Sequence, residues 1–114
     1  MTQPDPTPNN NPPIWPLVID FVRGRFSRLT EDQMIADMTA RDTLGRERYG
    51  TPLQAHNGRD ALQDAYDEAL DKAAYLRQYY EETGNGFRLF VDSVTQISDL
   101  LYEIQRRERC ASPR

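Results

Sequence analysis

A chain of 114 residues has the length of one small domain, and 38% apolar against 28% charged residues suits a soluble fold sparing with core material. A net charge of −4 argues against a general nucleic-acid binder, which would be basic, but leaves room for a nucleotide held by a few Arg or Lys side chains. A single cysteine, Cys110, excludes an internal disulfide and a cysteine-built zinc site; with no apolar run near the ~20 residues of a membrane span and no signal-peptide pattern, no membrane partner and a cytoplasmic location are expected.

Residues 1–13, MTQPDPTPNNNPP, hold no hydrophobic side chain after Met1 and cannot offset the entropy of ordering by burial, so a disordered or extended leader is expected. The ordered domain is expected over 14–110, with a tail at 111–114. Trp15, Val18, Ile19, Phe21 and Val22 fall within two turns, and Pro16 suits a first helical turn, which predicts a short amphipathic helix ending near Gly24. Thr30 followed by Gln33 reads as a capping box for a second helix from Glu31 to Tyr49, with an apolar stripe of Met34, Ile35, Met38 and Leu44. Gly45 is a point of loosening in it, and Gly50 with Pro52 its stop.

In the connector, Leu53 is expected to plug into a core, and His56 reads more readily as a surface or structural residue than as a ligand. Asn57 reads as the N-cap of a central helix over Gly58–Glu82, ended by Gly84-Asn85-Gly86. A last helix carries Phe90, Val94, Ile97, Leu101 and Ile104 at alternating spacings of four and three, a coiled-coil-like seam, with Arg106, Arg107 and Arg109 suiting its C-terminus. No strand pattern is present. The fold class is therefore all-α: a helical bundle of one short and three longer helices, expected to be a homo-oligomer through the C-terminal seam.

Chemistry concentrates on the central helix. Asp60, Asp64, Glu68 and Asp71 share one face at i, i+4, i+8 and i+11, and Tyr75 continues the line. Like charges at this spacing repel by ~0.2–0.5 kcal/mol per pair, so cations or a bound metal must offset them. Glu68 and Asp71, three residues apart, can point at one hard divalent ion, which takes oxygen ligands and phosphates together. The competing reading is a solvated face, because Leu62, Ala65, Tyr66, Ala69, Ala73 and Leu76 lie opposite the acids. The acids serve a site only where a second surface covers them, and the helix bearing Asp37, Arg41 and Arg48 on one face is the first candidate. Arg41 and Arg48 there suit phosphates or simple ion pairs. The backbone N–H groups at Gly58-Arg59-Asp60, with Arg59, form a weak anion-binding signal.

The segment RYGTPLQAHNGRDALQDAYDEALDKAAYLRQ, through RYGTPL, NGRD and the E-x-x-D of Glu68 and Asp71, resembles small phage proteins of the MazG-like, all-α nucleoside triphosphate pyrophosphohydrolase group. The likeness runs from about Asp37 to Gln78. It implies an oligomeric bundle in host-cell cytoplasm that uses Mg²⁺, with Mn²⁺ as substitute, to hydrolyse a nucleotide between its α and β phosphates. Glu68 and Asp71 would be metal ligands, with Asp64 or Asp37 completing the set. Asp64 and Glu68 would be the catalytic carboxylates, and Arg41, Asn57, Arg59 and Lys72 the substrate-binding groups. The group's first acidic motif has no counterpart between Glu31 and Tyr49, so a non-catalytic protein that binds or sequesters a nucleotide, or a helical partner-binding module, stands as the alternative.

Overall fold

A computed structural model describes residues 2–111, which form four helices: α1 (Ile14–Val22), α2 (Arg28–Tyr49), α3 (Ala61–Thr83) and α4 (Phe87–Ala111). The protein is all-α, with no strand among the described residues; the outer part of the expected 111–114 tail, 112–114, lies outside them. No helix among the described residues is long and apolar enough to cross a membrane. The helices associate in pairs, α1 with α2 and α3 with α4, and the chain divides into two compact units between Arg59 and Asp60.

In the first unit, Pro16 is the third residue of α1, where a missing N–H costs nothing, and the free N–H of Ile14 donates to the Leu53 carbonyl at 2.8 Å. Gly24, at φ +77°, turns the chain out of α1, and its N–H donates to the Glu31 carboxylate. The helix α2 starts one turn earlier than the Thr30–Gln33 box suggests. Ser27 is the N-cap, its hydroxyl bonds the Thr30 hydroxyl at 3.0 Å, and Gln33 instead donates to Asp37 Oδ1 at 2.9 Å. The helix passes Gly45 unbroken and ends at Gly50 in the left-handed region, φ 70°.

Of the two forms expected of it, disordered or extended, the leader takes the extended one. It runs extended along residues 51–59, and Pro13 and Gln54 form an isolated antiparallel bridge. The physical reason lies in side-chain amides, not apolar burial: Asn9, Asn11 and Gln54 supply hydrogen bonds that a hydropathy reading does not register. Leu53, expected to plug a core, stays exposed, while Thr51, Gln54 and Asn57 are the buried members of this connector.

In the second unit, α3 and α4 form an antiparallel hairpin. Asp60 meets Arg107 at one end, and the Tyr80 and Phe87 rings lie 5.0 Å apart at the other. Gly86 makes the turn possible twice over: its φ is +81°, and a Cβ there would come within 3.1 Å of the Tyr79 ring. The covered positions of α3 are Leu62, Tyr66, Ala69, Ala73, Leu76 and Tyr80, at the alternating four-and-three spacing of helix pairs. Those of α4 are Phe90, Ser93, Ile97, Leu100 and Ile104. Thus Ser93 and Leu100 take the inner places, and Val94 and Leu101 of the expected seam remain 44% and 37% exposed.

Ser93 is the most deeply covered side chain, 2% exposed, and its hydroxyl has no hydrogen-bond partner among the described residues. A small residue on the covered face of α4 lets the helices approach closely; its polar atom contributes nothing to that. Ser93→Ala should therefore raise stability by roughly 0.5–1 kcal/mol, because it keeps the contact and removes a desolvated hydroxyl. A denaturant midpoint that falls instead would show that the hydroxyl has a partner worth keeping.

Candidate functional site

The central helix acquires its polarity from its start. Asp60, not Asn57, is the N-cap of α3, accepting from the Gln63 N–H at 3.1 Å. Asn57 is instead occupied by its own turn, its Oδ1 accepting from the Arg59 N–H at 3.1 Å. The acid stripe therefore loses its first member to a structural task, which leaves Asp64, Glu68 and Asp71 along the helix.

A groove of about 570 Å³ runs along one flank of the hairpin and gathers part of the expected set. Glu68, Asp71 and Lys72 line it from α3 together with Tyr75, and Ala65 and Ala69 with Leu100 of α4 give it an apolar floor. Within this unit the wall is α4, through Gln96 and Leu100. Lys72 donates to Gln96 Oε1 at 2.5 Å, which ties its ammonium to the α4 wall of the groove. Glu68, Asp71 and Lys72 are solvent-exposed, so their charges are available to a ligand. The Tyr75 ring, 69% exposed, offers a flat face at the groove edge.

The other expected site residues are placed as follows. Asp64 lies in the first turn of α3, half-buried and one turn before Glu68, and does not line the groove. Asp37 and Arg41 lie on α2 and Asn57 and Arg59 on the connector, all in the first unit. There Asp37 accepts from Gln33, Asn57 is buried at 7% exposure, and Arg59 donates through Nη1 to the Pro4 carbonyl at 2.8 Å. Among the described residues no three His, Cys, Asp or Glu side chains come together as a metal-binding group. The donor set in the groove is thus two carboxylates, which suits a hard ion carried in with phosphates and waters rather than a closed protein cage.

Gln96 and Leu100 are the groove residues that sequence reasoning did not reach. Gln96 is an ordinary exposed glutamine on a helix, 24 residues beyond Lys72, and no local signal marks it. Leu100 stands next to an identical residue, Leu101, which fits the expected seam. No protein-family model matches the sequence, and no curated protein or solved structure matches it either.

Proposed function

We propose that this chain binds the phosphates of a nucleotide in the α3–α4 groove with magnesium and hydrolyses a nucleoside triphosphate to the monophosphate and pyrophosphate. The observation that carries this reading is the grouping of Glu68, Asp71 and Lys72 with an exposed aromatic ring over an apolar floor. The resemblance of about Asp37 to Gln78 to the MazG-like group is the sequence argument for it. Glu68 and Asp71, on one side of the helix, would hold the ion; magnesium supplies neutralisation of charge on the phosphate oxygens. Lys72, oriented by Gln96, contacts a phosphate as a point charge, and Tyr75 stacks on the base. Asp64, one turn away, orients the attacking water. Manganese as a substitute ion and the cytoplasm as the location belong to this reading. A second copy of the chain is part of it too, because the flank of α4 away from the groove is apolar and exposed.

A specific observation favours a second reading, a protein that holds a nucleotide without turning it over: only two carboxylates line the groove. Release of pyrophosphate from nucleoside triphosphates with Mg²⁺ or Mn²⁺, lost in Glu68→Gln and Asp71→Asn, is the result expected of the enzyme. A metal-dependent thermal shift by nucleotide without release, abolished by the same substitutions, is that of the binder. Neither release nor a metal-dependent shift with any common nucleotide would sink both.

A further inference from the structure

The leader and the connector 51–59 meet through a dense set of hydrogen bonds that the groove function does not use. The Asn9 carboxamide is fully engaged: Nδ2 donates to the Ala55 and His56 carbonyls at 2.9 and 3.0 Å, and Oδ1 accepts from the Asn11 N–H and Nδ2 at 2.8 and 3.0 Å. Gln54, 8% exposed, treats the leader as a neighbouring strand would. Its Oε1 accepts the Asn9 N–H at 3.2 Å, and its Nε2 donates to the Asn9 and Asn11 carbonyls, both at 2.8 Å. Further along, the Thr7 N–H donates to the Asn57 carbonyl at 2.8 Å.

Two features mark this as a built receptor rather than incidental contact. His56 has φ +58°, a left-handed backbone that a non-glycine residue adopts only when its surroundings impose it, and its carbonyl and that of Ala55 converge on one amide group. Gln54 is one of the few buried polar side chains and spends both ends of its amide on the leader. By contrast, residues 2–13 contain no large apolar side chain, so their docking adds no hydrophobic core. A segment held by polar contacts alone can leave without unfolding the helices.

We propose that residues 51–59 form a recognition groove for an extended Asn-x-Asn segment, and that residues 4–11 are its resident, exchangeable occupant, a strap that a free peptide of the same sequence can replace. The strap sets access to the buried Asn57 and to Arg59, which it holds at Pro4. This inference is independent of what the α3–α4 groove binds.

The test uses the full chain and hydrogen exchange. Asn9→Asp keeps the size of the side chain but sets a carboxylate against two carbonyls. Amides in 4–11 and 51–59 should exchange at least about tenfold faster in this variant, with α3 and α4 unchanged, as expected of a local opening. A synthetic peptide of residues 2–13, added in excess, should restore protection of 51–59 in the variant, and the same peptide carrying Asn9→Asp should not. Unchanged exchange in 51–59, faster exchange spreading into α3 and α4, or failure of the unsubstituted peptide to restore protection would each overturn the proposal.

Discussion

Replacing Val94 and Leu101 together by glutamate should turn an oligomer into single chains while leaving the helix content unchanged. The α3–α4 hairpin cannot close a core by itself. Two helices touch along one line, and among the described residues the buried apolar side chains here are only Ala69, Ala73 and Ile104. On one flank of α4, Phe87, Val91, Val94 and Leu101 form an exposed stripe at helical spacing. Full burial of a Val or Leu side chain is worth about 1.5–3 kcal/mol, and these side chains have realised only part of it. A second copy of the same stripe is the simplest surface that completes this burial. Two carboxylates per chain placed at that contact would be desolvated without partners, so association should weaken at least about a hundredfold. Sedimentation should show the wild-type chain at a multiple of 13.2 kDa and the double variant at that mass. A wild-type chain that sediments as a monomer at high concentration would refute the assembly.

The same helix shows how far the sequence could be read. Its start, length and period were legible because one turn signal and a long apolar repeat agree. The side of the helix that meets α3 was not. Phe90-Val94-Ile97-Leu101-Ile104 and Phe90-Ser93-Ile97-Leu100-Ile104 satisfy the same alternation, and hydropathy selects the first. Close packing of α4 on α3, whose buried residues are the small Ala69 and Ala73, selects the second, because a serine takes less room than a valine. The N-caps repeat the pattern. Ser27 competes with Thr30, and Asp60 with Asn57, each pair three residues apart and each member acceptable. What decides is the neighbourhood: Asn57 is already engaged by its turn and faces the leader, so Asp60 starts α3. The groove was half legible. Glu68, Asp71 and Lys72 share a helix and a spacing rule, whereas Gln96 and Leu100 arrive from another helix through tertiary packing. Contacts between Asn9 and Gln54, 45 residues apart, leave no periodic trace at all.

Asp60→Ala should cost the most stability of any surface substitution in the second unit, between about 1 and 2 kcal/mol, because it removes an N-cap and a clasp at once. The carboxylate accepts from the Gln63 N–H at the start of α3. It also accepts both Arg107 amino groups, Nη1 on Oδ1 and Nη2 on Oδ2, each at 2.9 Å, which joins the start of α3 to the last turns of α4. Both side chains are more than a third exposed, so solvent and salt discount the ion pair, and the cap is the larger share. Asp60→Asn separates the two, since asparagine caps well but cannot pair with a guanidinium; it should lose only the smaller part. Acid provides the independent check. The Arg107 hydrogen bonds, and after them the Gln63 N–H, hold the Asp60 carboxyl below its ordinary value of 3.8. A carboxyl depressed in the folded state contributes stability that is fully present above 3.8 and is lost as the pH falls through its folded value. The gap between wild type and Asp60→Asn, read from denaturant midpoints, should therefore stay constant at higher pH and close below 3.8, where a protonated aspartate and an asparagine become alike. A gap that persists undiminished into acid would mean that the hairpin is not closed by this charge.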